Sequence, residues 1–336
     1  MDKKRVVVVC PGRGTYTRET SGYLDKYGEA AREHIIWMDK QRDKENLQSI
    51  SSLDLGSFKS KIHMVGENAS TLIFACSMSD YLSIDQEKYE IVSIVGNSMG
   101  WYTALSLGNA ISIKDGYELI HTMGSMMKNQ IIGGQVIYPI VDDDWINNIE
   151  KKTEIISLIK NTGCFLSIEL GGYLVIGGEQ PCLDHLLKEL PKKDKYPFQL
   201  PFHAAFHTPL LKSISEKAFS LIHQKLFQKP SIPIIDGQGK IWSPYSTSPR
   251  LLFEYTLKDQ VISVFNFTKA MSVALKEFCP EKILLLGPGN SLGGAIGQII
   301  VEHGWNGIHS KNDFIKQQEK DPFLISMGLE EQRKLI

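Results

Sequence analysis

The hydrophobic positions of this chain fall into short continuous runs separated by longer stretches with helical spacing. The runs 6–10 and 89–95 are apolar and rich in β-branched residues, and each ends at a turn containing glycine or proline. Such runs are typical of strands buried on both faces of a parallel sheet. The stretches 70–84 and 113–129 have the length of helices. Because strand, turn and helix alternate, the pattern predicts an α/β core with a largely parallel sheet.

The pattern changes in the middle of the chain. It predicts strands at 135–141, 164–169, 173–177 and 196–201 and helices at 142–161 and 181–190. This βαββαβ order is the ferredoxin-like arrangement. We therefore predict a ferredoxin-like subdomain at 132–200, inserted into an α/β-hydrolase-like core formed by 1–131 and 201–310. The remaining residues, 311–336, are polar and helix-prone and are expected to form a C-terminal surface tail.

Composition excludes several classes of protein. The 336 residues include 37 basic and 38 acidic side chains, so no overall positive charge is available to hold a nucleic acid. The five cysteines are scattered without a CxxC pair, which argues against a disulfide framework and a zinc site, and no metal is expected. The apolar run near the N-terminus is too short for a signal peptide, and no stretch approaches the roughly 18 residues of a membrane span. We predict a cytoplasmic protein with no membrane partner.

The motif with the clearest chemistry is GxSxG at 96–100, which follows a predicted strand and precedes a predicted helix. Such a turn lifts the serine hydroxyl out of the backbone, and backbone N–H groups at the start of the helix can hold an oxyanion. Ser98 is therefore the candidate nucleophile, and it needs a base. His203 and His207 lie where the chain returns from the predicted insertion. Spacing alone does not choose between them.

Five segments, in order, carry a family resemblance. They are CPGRG at 10–14, GNSMGWYTAL at 96–105, FHTPLL at 206–211, LKDQVISVFNFTKAM at 257–271 and LLLGPGNSLGG at 284–294. The chain thereby resembles the malonyl-CoA:acyl carrier protein transacylase family, whose corresponding motifs include FPGQG, GHSLGEYTAL and EIGPGKVLTG. The resemblance covers about 300 residues.

The resemblance implies a role for each matching residue. Ser98 takes the acyl group from coenzyme A, and His207 is the general base and later the acid. The backbone at Gln260 orients His207, and the backbone N–H groups of Arg13 and Met99 form the oxyanion hole. The implied mechanism is ping-pong, with the phosphopantetheine thiol of an acyl carrier protein as acceptor, in fatty acid or polyketide biosynthesis. Coenzyme A is then a substrate, and no bound cofactor is expected.

The chain departs from the family pattern around the nucleophile. Arg13 replaces the Gln of FPGQG, which places a cation near the site, although its backbone can still serve the oxyanion. Asn97 replaces the His before the nucleophile, and Trp101 replaces the Glu after the elbow. We expect Asn97, Trp101 and His203 to contribute to the acyl pocket.

The departure that bears most on the substrate is at Met123. Malonyl-selective members of the family carry an arginine here that pairs with the free carboxylate. In this chain no arginine occurs between Arg42 and Arg250. Breaking such a pair costs about 3–5 kcal/mol. Met123 therefore favours an uncharged acyl group in the pocket, unless Arg13 or a histidine replaces the missing arginine.

Three further hypotheses stand beside malonyl transfer. A neutral-acyl transferase, of acetyl type, and a hydrolase of acyl carrier protein thioesters are both suggested by Met123. A non-catalytic scaffold that binds carrier proteins is suggested by the changes at Arg13, Asn97 and Trp101, and any turnover that depends on Ser98 would exclude it. An acidic carrier protein needs a basic docking patch, for which Lys188, Lys192, Lys193 and Lys195 are candidates.

Overall fold

The computed structural model describes residues 2–128 and 131–336. Its strands are β1 (Lys4–Cys10), β2 (Tyr89–Gly96), β3 (Gly134–Pro139), β4 (Phe165–Leu170), β5 (Tyr173–Gly178), β6 (Phe198–Gln199), β7 (Ile234–Ile235), β8 (Ile241–Trp242), β9 (Phe265–Asn266), β10 (Lys282–Leu285) and β11 (Leu324–Ser326).

Its α-helices are α1 (Tyr23–Tyr27), α2 (Arg32–Lys44), α3 (Ile50–Leu55), α4 (Ser60–His63), α5 (Gly66–Leu82), α6 (Gly100–Leu107), α7 (Ile113–Ser125), α8 (Ile149–Asn161), α9 (Gln180–Glu189), α10 (Lys212–Leu221), α11 (Pro249–Leu257), α12 (Asp259–Ile262), α13 (Phe267–Phe278), α14 (Gly293–Glu302), α15 (Lys311–Lys320) and α16 (Glu330–Arg333).

The larger sheet has the strand order β11-β10-β1-β2-β7-β8. All of its neighbouring strands run parallel except β7 and β8, which are antiparallel. The central strand β1 is apolar on both faces, and Val6, Val7, Val8 and Val9 are fully buried. Helices cover both faces of such a sheet, which is why its strands read as continuous apolar runs. The predicted α/β class with a parallel sheet is confirmed.

The smaller sheet has the order β6-β3-β5-β4-β9. Its first four strands pair antiparallel, and β9, which comes from a distant part of the chain, pairs parallel with β4. One face carries Val136, Leu174 and Ile176, which pack under α8 and α9 in a core of their own. The opposite face carries Ile137 and Val175 and lines a cleft that leads to Ser98.

The helix predicted at 142–161 is shorter in the structure and begins at Ile149. Asp142 folds the preceding residues into a turn, because its Oδ1 accepts hydrogen bonds from the backbone N–H groups of Asp144 and Ile146. The side chain of Asn148 then caps the helix by accepting from the N–H of Lys151 over 2.9 Å. Short acidic and amide side chains compete with helical hydrogen bonds in this way.

The prediction of a polar surface tail over 311–336 is wrong. Strand β11 in this segment pairs parallel with β10 and forms one edge of the larger sheet, and its three residues are buried. Farther on, Arg333 inserts its guanidinium between Tyr23 and the fully buried Asp80. The segment is therefore part of the core, and its polar composition reflects the exposed faces of α15 and α16.

In the parts of the chain that the structure describes, no helix is both long and apolar enough to cross a lipid bilayer. The same residues contain no group of three or more His, Cys, Asp or Glu side chains placed to hold a metal ion.

Candidate active site

The nucleophile elbow is a tight turn between the end of β2 and the start of α6. Ser98, at its apex, has a left-handed backbone with φ of 53°. A Cβ at Gly96 would overlap the carbonyl oxygen of Gly100, and one at Gly100 would overlap that of Cys10. Glycine is therefore required at both positions, and the strained backbone of Ser98 presents its hydroxyl away from the turn.

Ser98 and His207 form a hydrogen-bonded pair. The Oγ of Ser98 lies 2.7 Å from Nε2 of His207, and Nδ1 of His207 donates to the carbonyl oxygen of Gln260 over 2.6 Å. This second bond assigns the proton to Nδ1 and leaves Nε2 as the acceptor. Burial lowers the pKa of His207 to about 4, so the ring is neutral at pH 7 and can accept the serine proton. Of the two histidines that spacing left open, the structure brings His207 to the nucleophile.

The side chain of Gln260 also takes part, which sequence reasoning missed. Its Nε2 donates to the carbonyl oxygen of Ser98 over 3.1 Å, and its Oε1 accepts from the hydroxyl of Tyr102 over 2.7 Å. Gln260 thus holds His207 by its backbone and the elbow by its side chain. Tyr102 lies in the first turn of α6, directly after the elbow, and no sequence signal distinguished it from its buried neighbours.

Two backbone N–H groups near Ser98 are available to an oxyanion. Within the described residues, neither the N–H of Arg13 nor that of Met99 donates a hydrogen bond. The loop that carries Arg13 lies against the elbow: a Cβ at Gly12 would come 2.8 Å from the carbonyl oxygen of Asn97 and 3.5 Å from Cβ of Ser98. Free N–H groups in such positions are the usual elements of an oxyanion hole.

A pocket opens beside the Ser98–His207 pair. Its polar wall includes Ser98, His207 and Gln260. Arg13, Ser70, Tyr102 and Gly124 also line it, and its apolar side chains are those of Met99, Ile120, Met123, Met127, Phe206, Leu211, Ile214 and Val261. Met123 therefore lies in the same pocket as the nucleophile, and Met127, one turn later on the chain, was not predicted from the sequence.

A second, larger space also reaches Ser98 and lies between the elbow and the open face of the smaller sheet. We call it the cleft. Asn97 and His203 line this cleft and not the acyl pocket in which they were predicted. Nδ1 of His203 donates to Oε1 of Gln135 over 3.0 Å, and burial together with the nearby charge of Arg13 lowers the pKa of His203 to about 3.

Trp101 lies outside both spaces, and its predicted acyl-pocket role is wrong. Its side chain is fully buried in the core, where Nε1 donates to Oγ1 of Thr256 over 3.1 Å and the ring packs edge-on against Tyr255. Helix α6 is buried along its whole length, so its sequence could not show which residues face the site.

The side chain of Arg13 faces the site, a point that the sequence left open. Its Nη2 donates to the carbonyl oxygens of Met64 and Phe202 over 2.9 and 3.0 Å. The guanidinium lies 5.5 Å from the centre of the Phe206 ring. Arg13 lines both the pocket beside the Ser98–His207 pair and the cleft.

The four lysines predicted to dock a carrier protein are not equivalent in the structure. Lys188, Lys192 and Lys195 are exposed. Lys193 is half-buried, 3.2 Å from a carboxylate oxygen of Asp143, and donates to the carbonyl oxygen of Val141. Only the first three present charges to solvent without such a pairing.

Known proteins resemble this chain over almost its whole length. No family model matches it. A polyketide biosynthesis malonyl CoA-acyl carrier protein transacylase of Bacillus subtilis (strain 168), PksC, is 24% identical over 298 residues, which cover 88% of this chain and 96% of that protein. The malonyl-CoA:acyl carrier protein transacylase FabD of Xanthomonas oryzae has a TM-score of 0.75 at 17% identity, covering 99% and 98% of the two chains.

A third match is a solved complex of a type II polyketide acyl-carrier protein with its malonyl-transacylase. It has a TM-score of 0.71 at 18% identity and covers 89% of this chain and 93% of that one. The solved structures establish the shared fold, and the sequence relative matches 88% of this chain. This chain is therefore a homologue of the malonyl-CoA:acyl carrier protein transacylases, a family of acyltransferase enzymes, as its motifs predicted.

Proposed function

We propose that this protein is an S-acyltransferase that moves an acyl group from coenzyme A to the phosphopantetheine thiol of an acyl carrier protein. The observation that carries the proposal is the 2.7 Å hydrogen bond between Oγ of Ser98 and Nε2 of His207 at a nucleophile elbow. An activated serine beside a base with a fixed tautomer is suited to forming a covalent acyl intermediate.

In the first half-reaction, Oγ of Ser98 attacks the thioester carbonyl carbon while Nε2 of His207 takes the hydroxyl proton. The N–H groups of Arg13 and Met99 hold the oxyanion. When the tetrahedral intermediate collapses, the carbon–sulfur bond breaks, and coenzyme A leaves as a thiol with the proton from His207. The carbonyl of Gln260 stabilises the imidazolium that forms before the proton is passed on. A Ser-His-Asp triad uses a carboxylate in this position.

In the second half-reaction, the carrier thiol gives its proton to His207 and attacks the acyl-Ser98 ester. The ester bond breaks, Ser98 recovers the proton from His207, and the acyl group leaves as a carrier thioester. The cleft gives a narrow phosphopantetheine arm an approach to Ser98, with Ile137, Val175 and Leu200 along its wall. The similar Bacillus subtilis protein is named for transfer to an acyl carrier protein, and one similar structure is a complex with an acyl-carrier protein.

The smaller sheet also has a role in the proposed reaction. Its strand order β6-β3-β5-β4 and antiparallel pairing support its interpretation as the ferredoxin-like subdomain at 132–200, set on an α/β-hydrolase-like core. It would form the far wall of the cleft and shield the acyl-enzyme from water. Fatty acid or polyketide biosynthesis in the cytoplasm is the setting that the proposal implies.

Met123 favours a second candidate, hydrolysis of acyl carrier protein thioesters. The residue lies in the pocket beside Ser98, which this proposal takes as the acyl pocket, and its neighbours Ile120 and Met127 are also apolar. The motif count from Gly96 matches Met123 to the family's carboxylate-binding arginine. Such a pocket accepts uncharged acyl groups. The same acyl-Ser98 would form, and water would replace the carrier thiol as acceptor.

The experiment that tests both candidates is intact-protein mass spectrometry after mixing with a set of acyl-CoA thioesters. We expect a one-acyl adduct on the wild type and none on Ser98→Ala, with Ser291→Ala, an exposed serine of the cleft, as the matched control. Addition of carrier protein should then move the adduct to the carrier. An adduct that decays in buffer as fast as with carrier would favour the hydrolase. Turnover that survives in Ser98→Ala would contradict both.

A further inference from the structure

The acyl pocket contains a cation that its apolar lining does not explain. Arg13 is the single lysine or arginine among the pocket-lining residues in the described part of the chain. The fully buried Arg42 is engaged elsewhere: it donates to Thr71, Asn68 and the carbonyl oxygens of Gln48 and Glu67. Any negative charge that enters the pocket therefore meets the Arg13 guanidinium.

The guanidinium of Arg13 is incompletely paired. Its two protein acceptors, both backbone carbonyls, are taken by Nη2. Within residues 2–128 and 131–336, Nε is buried without any hydrogen-bond partner, Nη1 donates to none, and no carboxylate lies within salt-bridge distance. Leaving a buried donor unsatisfied is costly, and a ligand acceptor would remove that cost.

The position of the guanidinium is fixed before any substrate binds. The carbonyls of Met64 and Phe202 hold Nη2 from two separate parts of the chain, and the Phe206 ring lies beneath the group. Burial lowers the pKa of Arg13 to about 10, which still leaves it charged at neutral pH. A pre-positioned guanidinium with free donors is the arrangement that recognises carboxylates.

We infer that Arg13 is the specificity-determining residue of this protein, and that it binds the free carboxylate of a short dicarboxylic acyl group such as malonyl. This inference rests on the proposed function. The family's arginine on the helix after the elbow is matched by Met123 here, and Arg13, which lines the same pocket, supplies the missing charge. The same residue offers its backbone N–H to the oxyanion, and in malonyl the carboxylate lies two bonds from that carbonyl carbon.

Met123 taken alone favours an uncharged acyl group, whereas Arg13 favours a charged one. Met123 would then pack against the methylene of the acyl group, while the charge is bound at Arg13. A neutral acyl group would fill the same space and leave Nε and Nη1 of Arg13 without acceptors. Specificity of this kind is large, because the rejected substrate leaves buried polar groups unpaired.

The test compares malonyl-CoA with acetoacetyl-CoA, which has the same number of non-hydrogen atoms in its acyl group and no charge. The readout is the ratio of the second-order rate constants for acylation of Ser98 by the two thioesters. We expect the wild type to favour malonyl and Arg13→Gln, which restores the family's own residue and keeps the backbone N–H, to lower the ratio at least 100-fold. Arg18→Gln removes an exposed arginine from the same loop region and should leave the ratio unchanged.

A rescue variant separates recognition from structural damage. Arg13→Gln combined with Met123→Arg returns the arginine to the family's position, and the ratio should recover at least tenfold. A wild type that favours acetoacetyl, or an Arg13→Gln ratio within threefold of the wild type, would overturn the inference. If Arg13→Gln does not fold, Arg13→Lys is tested in its place. Lysine keeps the charge but loses the paired N–H donors of the guanidinium, so we expect a ratio between those of the wild type and a variant without the charge. Failure of the proposed function is distinguishable from failure of this inference, because Ser98 would then accept neither the malonyl nor the acetoacetyl group.

Discussion

Nε2 of Gln260 donates a hydrogen bond to the carbonyl oxygen of Ser98 over 3.1 Å. The carbonyl of the same glutamine accepts from Nδ1 of His207, so one residue fixes both members of the pair relative to each other. Ser98 lies on a turn after β2 and His207 lies more than a hundred residues later, in a segment without regular structure. Because Gln260 contacts both segments, it helps to set the distance between Ser98 and His207.

Gln260→Ala keeps the carbonyl that orients His207 and removes the link to Ser98. We expect kcat to fall roughly 100-fold with little change in KM, because a displacement of about 1 Å in the reacting groups costs that much. Tyr102→Phe removes only the hydroxyl that holds Oε1 of Gln260 and should cost about fivefold, the value of one hydrogen bond. Gln238→Ala, at an exposed glutamine, is the control. A rise in KM at constant kcat would argue for a role in binding.

The rate of Ser98 acylation should be nearly independent of pH between about 5 and 8. His207 must be neutral to accept the serine proton, and burial lowers its pKa to about 4, so activity is lost only as the pH falls through that value. Single-turnover acylation followed by quenching and mass spectrometry measures this profile. A midpoint near 6.5, the ordinary value for histidine, would show that the ring is solvated in the free enzyme.

The same burial makes folding sensitive to acid. The pKa values of His203 and His207 are both lowered, so the unfolded chain binds protons that the folded chain does not as the pH falls below about 6.5. The free energy of unfolding should therefore fall between pH 6.5 and 4. Urea unfolding at a series of pH values measures the slope, and His203→Gln should reduce it. An equal slope in that variant would contradict the assignment of His203 as buried and neutral.

Gly124 allows α7 to approach α5 closely, next to Met123. A Cβ at Gly124 would lie 2.5 Å from the carbonyl oxygen of Gly66. We expect Gly124→Ala to destabilise the protein by about 1–3 kcal/mol, and to slow acylation by moving the pocket wall. Gly294→Ala, in an exposed helical position with no atom within 4 Å of the added Cβ, should instead be neutral or stabilising by about 0.5–1 kcal/mol. Thermal unfolding and acylation rates distinguish the two.

Arg333 ties the C-terminal segment to the core through Asp80, whose side chain is fully buried. Arg333→Met keeps the aliphatic stem and leaves an uncompensated carboxylate, which should cost about 3–5 kcal/mol at neutral pH. The deficit should shrink as the pH falls, because burial raises the pKa of Asp80 and its protonation then removes the charge. Lys334→Ala, which removes an exposed pair with Glu331, should have almost no effect. A deficit that does not change with pH would contradict this explanation.

The sequence was most informative where backbone geometry restricts the residue type. Only glycine fits at Gly96 and Gly100, so the elbow and its serine could be read from the chain directly. The buried strands β1 and β2 could be predicted for a similar reason, since a strand buried on both faces leaves a continuous apolar run. What a single residue contacts across the fold is not encoded in this way. Spacing alone did not choose between His203 and His207, and the family resemblance was needed to assign His207 as the base.

The errors have physical causes of the same kind. Trp101 lies on a helix that is buried all round, so periodicity could not distinguish the side facing the core from the side facing the site. The C-terminal strand β11 is three residues long, and the apolar run 323–327 around it was the available signal in an otherwise polar segment. The interior position of Arg13 could not be predicted, because it depends on the carbonyls of Met64 and Phe202.

The strand β9 has a consequence for exchanging parts between homologues. The smaller sheet takes four strands from residues between Gly134 and Gln199, and its fifth, Phe265–Asn266, comes from the segment that follows Gln260. A graft of 132–200 alone would leave the edge of β4 open to pairing with another molecule. Residues 132–200 therefore cannot be transferred between homologues as a complete sheet. A chimera that changes the cleft should carry β9 with it, together with the nearby Gln260, which contacts both Ser98 and His207.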